Sequence, residues 1–196
     1  GINAEYILVR DGGYISTASK GLGDAGEISI EAGNLLMENG AIKSEGTHTG
    51  SAGSVELRLV RGLTLGQASS ISVTASQADG GDIRLTTDGY VNLIDSELTA
   101  AAAGDGGSVR LLGSGNVMLT DSRISAEAGQ DGGNIEVRSP DTLVLQRSGL
   151  VANAIHGNGG NIAVAAEGYL PSLQSVVSAS SEFGLEGSVE IDTPET

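Results

Sequence analysis

The sequence predicts an all-β fold, a right-handed parallel β-helix in which coils of about 27 residues stack into a solenoid. The first observation is a glycine that recurs at spacings of 27, 28, 26, 26, 27 and 27 residues. These glycines are Gly26, Gly53, Gly81, Gly107, Gly133, Gly160 and Gly187. The second observation is that each opens the pattern Gly-polar-Ile/Val-x-Leu/Val/Ile, whose alternation is typical of a strand with one buried face. A repeat of this length along the whole chain indicates stacked coils.

The third observation is that the composition disfavours helices. The chain has 31 glycines in 196 residues, and each glycine costs a helix up to about 1 kcal/mol relative to alanine. No stretch carries a sustained apolar stripe at the helical period of 3.6 residues. The right-handed sense of the coil follows from the general rule for crossovers between parallel strands. The sequence therefore predicts about six full coils without helices.

Each coil is predicted to contain three strands, as the repeat that begins at Gly107 shows. Residues 108–111 alternate between polar and apolar and predict the first strand. Residues 113–116 are small or polar and predict a turn before the second strand at 117–119. Residues 120–123 predict a tighter corner before the third strand at 124–128. Residues 129–133, rich in glycine, close the coil.

Equivalent positions in successive coils predict inward-facing columns of aliphatic side chains. The first strand contributes Ile28/Ile30, Val55/Leu57, Ile83/Leu85, Val109/Leu111, Ile135/Val137, Ile162/Val164 and Val189/Ile191. The second contributes Leu35/Met37, Leu63/Leu65, Val91/Leu93, Val117/Leu119 and Leu143/Leu145. The third contributes Ile15, Ile42, Ile71, Leu98, Ile124, Val151 and Val177, followed two residues later by Thr17, Ser44, Val73, Ala100, Ala126, Asn153 and Ala179. The three prolines, Pro140, Pro171 and Pro194, are expected at turns or near the chain end because a sheet interior needs every N–H donor.

Composition narrows the function classes. Ten Lys and Arg residues against 25 Asp and Glu residues give a formal charge of -15, which disfavours binding to nucleic acid or to an anionic membrane. The chain has no cysteine, and therefore no disulfide framework and no thiolate metal site. It also shows no signal peptide, apolar span or lipidation motif, so no membrane insertion is expected.

We expect residues 1–196 to form a single β-helix domain that is a piece of a longer β-helix. Gly1 is predicted to lie at the second strand of an incomplete coil, and Thr196 just after a first strand. Open sheet edges of that kind are normally covered in proteins.

The wording of the repeats resembles the filamentous haemagglutinin family of two-partner secretion exoproteins. The resemblance is carried by Asp131-Gly132-Gly133-Asn134-Ile135, by Asn158-Gly159-Gly160-Asn161-Ile162 and by the closing residues 178–194. The closing segment looks most like the C-terminal part of cyanobacterial members. The resemblance implies a secreted or cell-surface adhesin of a Gram-negative bacterium, exported by an outer-membrane transporter. The family's Asn-Pro-Asn-Leu secretion motif is not found in this sequence, so the role of transporter recognition is carried over to no residue.

A column of carboxylates is the candidate metal site. Asp79, Asp105 and Asp131 each precede a Gly-Gly pair and are expected to stack about 4.8 Å apart, with Asn158 continuing the column. Carboxylates and turn carbonyls at a corner are suitable ligands for calcium. The alternative is a solvated turn, for which Asp-Gly is favourable chemistry. No other cofactor is predicted.

Two further columns are interpreted as structural. Ser96, Ser122, Ser148 and Ser175 follow one another at the corner before the third strand, where hydroxyls can bond to neighbouring backbone. On the first strand, an exposed ladder is expected to favour one register through opposite-charge neighbours. Its members are Glu56, Arg84, Arg110 and Glu136.

An enzyme is not expected. Polysaccharide-degrading β-helices need paired carboxylates in a cleft with long loops, whereas the turns here are uniformly short. His48 and His156 fall in turns of distant coils and are interpreted as surface residues. The aromatic residues Tyr6, Tyr14, Tyr90, Tyr169 and Phe183 are sparse, and Tyr90 and Tyr169 are assigned equivalent exterior positions at the start of the second strand.

Three functions follow from these observations. The main hypothesis is a structural shaft segment of a secreted adhesin. The alternative is a binding module that engages a surface glycan, calcium or a second copy of the chain. The third is ice binding by the outward row of the third strand, formed by Ser16, Lys43, Ser72, Thr99, Ser125, Ala152 and Ser178.

Overall fold

The computed structural model describes residues 1–194, and the predicted chain end at Thr196 lies outside them. All regular structure in this range is strand, in 17 segments. The strands are β1 (Ile2–Arg10), β2 (Tyr14–Ser19), β3 (Ile28–Glu38), β4 (Ala41–Gly46), β5 (Val55–Gly66), β6 (Ser70–Ala75), β7 (Ile83–Thr87), β8 (Tyr90–Ile94), β9 (Glu97–Ala102), β10 (Ser108–Gly113), β11 (Val117–Thr120), β12 (Arg123–Ser125), β13 (Asn134–Gln146), β14 (Gly149–Val151), β15 (Asn161–Pro171), β16 (Val176–Ser178) and β17 (Ser188–Asp192). No helix in residues 1–194 has the length and hydropathy to cross a membrane.

The strands pair in parallel from one coil to the next, as a β-helix requires, so the predicted fold is confirmed with about seven coils. Three walls surround the core. The first wall contains the segments in register with β10, and the second wall contains those in register with β11. The third wall is a separate seven-stranded sheet made of β2, β4, β6, β9, β12, β14 and β16.

The first and second walls are less separated than predicted. In β3, β5, β13 and β15 one bent strand runs through both walls, and a turn divides them only between β7 and β8 and between β10 and β11. Pro140, expected at a turn, lies inside β13, where the pairing with β15 shifts between Ser139 and Thr142. A bulge leaves a residue unpaired, so a proline without an N–H is tolerated there.

The predicted inward columns form the core, and most of their side chains are fully buried. One coil of the third wall was misaligned. Ile124 pairs with Leu150 rather than Val151, and the next inward position is Ala152 rather than Asn153. The distance from Ser122 to Ser148 is 26 residues in this coil, so counting by 27 displaces the prediction by one position.

The two ends of the stack also differ from prediction. Val189 and Ile191 in β17 are 46% and 38% exposed, because no second or third wall is built at that level within residues 1–194. At the other end, Ile2 pairs with Ile30 of the first wall. Residue 1 therefore lies at the first wall, not at the second strand as predicted.

The recurring glycine has a steric cause. The Cα of Gly107 faces the carbonyl oxygen of Gly81, and a Cβ built there would overlap that oxygen. The same contact with the glycine one coil earlier occurs at Gly53, Gly81, Gly133, Gly160 and Gly187. Gly26, which has no equivalent coil before it, would place a Cβ at an ordinary 3.5 Å from Thr17 Cγ2. Only glycine allows the coils to approach each other this closely at the corner between the third and first walls.

Candidate functional site

The predicted aspartate column is present, and its carboxylates hold neighbouring coils together. The Asp105 N–H donates to Asp79 Oδ1 at 3.0 Å, and the Asp131 N–H donates to Asp105 Oδ1 at 3.2 Å. The Asn158 N–H donates to Asp131 Oδ1 at 2.6 Å. The predicted stacking is therefore confirmed, and each carboxylate already accepts a backbone hydrogen bond, which favours its charged form at the turn.

Calcium binding by this column remains a prediction. Within residues 1–194 no group of three or more His, Cys, Asp or Glu side chains is arranged to hold a metal ion. A free second oxygen on each carboxylate would be the ligand offered by Asp79, Asp105 and Asp131. Thermal unfolding with calcium and with a chelator tests the site, and an unchanged melting temperature would exclude it.

The corner between the second and third walls is built from a left-handed residue followed by serine. Asp95, Asp121 and Arg147 have φ values of 50°, 49° and 49°, a conformation that costs non-glycine residues roughly 1–2 kcal/mol. The serines that follow them are buried and bonded. Ser122 Oγ donates to the Thr120 carbonyl at 2.7 Å and accepts the Ser96 N–H at 3.1 Å.

The serine hydroxyls form a continuous ladder along this corner. The Ser122 N–H donates to Ser148 Oγ at 3.1 Å, and the Ser148 N–H donates to Ser175 Oγ at 3.3 Å. Each hydroxyl therefore satisfies a buried N–H of the preceding coil. The ladder has the structural role that the sequence predicts for it.

A polar groove of about 690 Å³ follows the outside of this serine corner. Its charged and amide side chains come from four successive coils. They are Asp95, Glu97, Asp121, Arg123, Arg147 and Gln174. The groove is the largest concave surface among the described residues, so it is the best candidate for holding a ligand.

An ion pair crosses the floor of the groove. Arg147 Nε and Nη2 donate to Asp121 Oδ1 and Oδ2 at 2.6 Å and 2.5 Å. The hydrogen bonds from Arg147 lower the pKa of Asp121 below its ordinary value of 3.8, and the same contact raises the pKa of Arg147. Arg123 is held in the same way by Glu127 at 2.7 Å. The groove thus presents fixed, largely neutralised charges beside the unpaired polar tips of Asp95, Glu97 and Gln174.

A second cavity of about 460 Å³ lies where the first wall bends into the second wall in the early coils. Arg61 lies over Gly33 and reaches Glu5, with 2.6 Å between Arg61 Nη2 and Glu5 Oε1. A side chain at position 33 would fill the space that the guanidinium occupies. Arg61 therefore connects three successive coils.

The charged ladder on the first wall is in the predicted register, but its ion pairs differ in part. Arg110 pairs with Glu136 at 3.5 Å, as expected from neighbouring coils. Arg84 pairs instead with Asp82 of its own coil at 3.0 Å. Glu56 pairs with Arg58 at 2.8 Å. Neighbours two residues apart on one strand share a face and reach each other as easily as residues in adjacent coils.

The aromatic residues do not form a platform. Tyr90 pairs with Gly62 and is 48% exposed, whereas Tyr169 pairs with Leu143 and packs against the core. Burial raises the pKa of Tyr169, so the predicted equivalence of these two tyrosines is wrong. The exposed ring of His156 stacks on Phe183 of the next coil, with ring centroids 5.6 Å apart. His48 is exposed in a turn.

The outward row of the third wall is not a uniform polar array. Ser16, Lys43, Ser72, Thr99 and Ser125 follow one another in register, as predicted. The next member is Val151, because Ala152 is fully buried in the core. Ser125 is itself buried and donates to Glu127 at 2.9 Å. The row expected to bind ice is therefore interrupted by Lys43 and covered in its later coils.

Sequence reasoning missed the groove, the His156–Phe183 stack and the span of Arg61 across Gly33. The groove had a signal, since Asp or Arg precedes serine at the same place in three coils. The other two contacts join residues 27 and 56 positions apart. No local pattern marks such contacts.

Comparison with known proteins found no match: none among the family models, none among the curated proteins and none among the solved structures. The functional argument therefore depends on the geometry described above and on the resemblance in the wording of the repeats.

Proposed function

We propose that the chain is a structural shaft segment of a secreted or cell-surface adhesin of the filamentous haemagglutinin type. The observation that carries this proposal is the unbroken parallel pairing of every coil with the next, from β1 to β17. A stack of this kind extends a binding domain away from the cell surface without needing a ligand or a cofactor of its own. The resemblance of the Gly-Gly-Asn-Ile repeats to that family supports the same conclusion.

The stack is suited to act as a spacer. Backbone hydrogen bonds between coils run along its long axis, and seven coils at about 4.8 Å each extend roughly 30 Å. Buried columns of aliphatic residues continue through every level from Ile28 to Val164. Because each coil is stabilised by its neighbours, stiffness and length are properties of the whole array.

Export fits the same proposal. A chain without cysteine can cross an outer-membrane transporter unfolded, without premature cross-links. Folding outside the cell then needs only local pairing of each new coil with the previous one. The proposed location of the parent protein is the surface, or the surroundings, of a Gram-negative bacterium, and the transporter is its proposed export partner.

The test is to shorten the shaft by whole coils in the polypeptide that its gene encodes. Deleting residues 81–132 joins Gly80 to Gly133 and preserves the Gly-Gly corner and the register. We expect secretion and adhesion to persist, with the shaft shorter by about 10 Å, two coils at about 4.8 Å each. Electron microscopy and cell-binding assays measure both. A matched deletion of residues 81–93, about half a coil, should prevent folding. Loss of adhesion by the two-coil variant, with secretion and fold intact, would contradict the proposal.

A second candidate function is a glycan-binding module, favoured by the groove at the serine corner. Carboxylate, guanidinium and amide groups from successive coils are suitable partners for sugar hydroxyls, and ligand sites are concave surfaces with few fixed polar groups. A glycan array tests it with the unmodified chain, with Glu97→Ala and with Arg84→Ala on the first wall as the control. Binding that Glu97→Ala removes and Arg84→Ala keeps would support the module. No saturable binding would exclude it.

A further inference from the structure

The outer face of the second wall lacks charge over most of its length. Its strand segments, from Gly62 in β5 to Pro171 at the end of β15, contain no charged side chain. Only Arg10 and Glu38, at the strand ends of the first two coils, carry charge on this wall. For a chain with a formal charge of -15, one uncharged face is a marked departure from the rest of the surface.

The central outward row of this face is largely apolar. It runs through Leu8, Leu36, Thr64, Asn92, Met118, Val144 and Leu170, which are paired in register from coil to coil. Leu8, Met118 and Leu170 are 41%, 41% and 61% exposed. Tyr6, Tyr90 and Ile94 on the flanking rows are also exposed. We call this surface the uncharged face.

The first wall shows what an exposed wall of this chain otherwise looks like. Its outward positions alternate in charge, with ion pairs between Arg58 and Glu31, between Arg110 and Glu136, and between Arg138 and Glu136. Exposed edge and surface strands are normally kept apart from other sheets by charges of this kind. The uncharged face carries no such protection.

We propose that the uncharged face is an interface on which a second copy of this chain packs, sheet against sheet. Five strand positions at about 3.3 Å by seven strands at about 4.8 Å measure roughly 17 by 30 Å. Two such faces bury on the order of 1,000 Å² together, which reaches the lower limit of a specific interface. The expected arrangement is twofold symmetric, because a self-complementary patch forms closed dimers.

Electrostatics select a second copy that meets this face rather than any other. Two copies with like net charge repel each other wherever their charged surfaces meet. Facing their second walls places the charge-free strands in contact and keeps the acidic Asp-Gly corners and the charged first walls towards solvent. The flat faces of two parallel ladders also match each other at the common spacing of about 4.8 Å.

Sedimentation equilibrium over a range of chain concentrations tests the interface. The unmodified chain should show a monomer–dimer equilibrium, and Met118→Lys should weaken dimerisation at least about tenfold, since it buries an unpaired charge. Leu112→Lys is the matched control, because Leu112 is an outward residue of the same coil, on the first wall, with 37% exposure. It should leave the dimer unchanged. Thr64→Lys provides a second variant on the uncharged face, and circular dichroism shows which variants remain folded.

The other outcomes overturn the proposal. A chain that stays monomeric at all concentrations has no such interface. A dimer that Leu112→Lys dissociates, and that Met118→Lys and Thr64→Lys leave intact, uses another surface. Growth into long polymers that neither second-wall variant prevents would indicate association through the open ends of the stack.

Discussion

Two corners of this solenoid keep successive coils in register by opposite means. At the Gly-Gly corner between the third and first walls, the coils approach so closely that a Cβ on Gly107 would overlap the Gly81 carbonyl. At the serine corner between the second and third walls, side chains fill the space. Ser122 Oγ links the Ser96 N–H and the Thr120 carbonyl.

The difference explains which corner tolerates variation in sequence. Steric exclusion admits a single residue type, so glycine recurs at the Gly-Gly corner in every coil. Hydrogen bonding at the serine corner requires only a hydroxyl after a left-handed residue, and Asp95, Asp121 and Arg147 all occupy the left-handed position. Functional groups therefore collect beside the serine corner, where the groove lies.

The largest expected effect comes from adding one methyl group at the Gly-Gly corner. Gly107→Ala should lower the free energy of unfolding by about 3 kcal/mol or more, since the backbone of two coils must separate. Gly26→Ala is the control, because its Cβ would meet only Thr17 Cγ2 at 3.5 Å. Urea unfolding followed by circular dichroism measures both. Equal midpoints for the two variants would show that close approach does not determine the register.

The next effect concerns the serine corner. Ser122→Ala should cost about 1–3 kcal/mol, because the buried N–H of Ser96 loses its acceptor. Ser114→Ala removes a hydroxyl from an exposed turn of the same coil and should change little. The same urea measurement applies. If both variants unfold at the wild-type midpoint, the serine ladder contributes no stability.

A smaller effect is expected at the aspartate column beside the Gly-Gly corner. Asp105→Ala should cost about 0.5–1.5 kcal/mol, the value of one hydrogen bond, because the Asp131 N–H loses Oδ1. Asp105→Asn keeps an amide oxygen in that place and should stay near wild type, as Asn158 does when it accepts the Leu185 N–H. A larger loss for Asn than for Ala, measured by urea unfolding, would mean that charge and not the acceptor is needed.

The smallest effect is electrostatic and belongs to the groove. Arg147→Gln should raise the pKa of Asp121 towards its ordinary 3.8. Because Arg147 lowers this pKa, its stabilising contribution is present above the ordinary value and is lost as the pH falls through the lowered one. Carboxyl carbon NMR titration measures the shift, and Arg84→Gln on the first wall is the control. An unchanged Asp121 titration in Arg147→Gln would show that the bidentate pair does not form in solution.

Much of the fold could be predicted from the sequence because its signals are local. Alternation in Gly107-Ser108-Val109-Arg110-Leu111 predicts one strand and its buried side, and the recurring glycine sets the period. The same reasoning stacks Asp79, Asp105 and Asp131 without any knowledge of the fold. It fails in one coil, at Leu150 and Val151, where the spacing is 26 residues. A shift of one position exchanges the inward and outward sides of a strand.

The candidate site was less predictable because it depends on contacts between coils. The Arg147–Asp121 pair and the groove around it appear only when residues 26 positions apart are brought into register. The uncharged face likewise emerges from short segments that look unremarkable one by one. Each contributes two or three outward residues, and the surface exists only in their sum.

The sequence by itself determined the parallel β-helix, its period and most of its buried columns, since glycine recurrence and strand alternation act within one repeat. The tertiary structure alone decided where the first and second walls merge, that Tyr90 points outward while Tyr169 packs inward, and which polar groups meet in the groove. The physical reason is that these features depend on the register between coils, which a bulge or a shortened corner changes by one residue without altering the pattern of either coil.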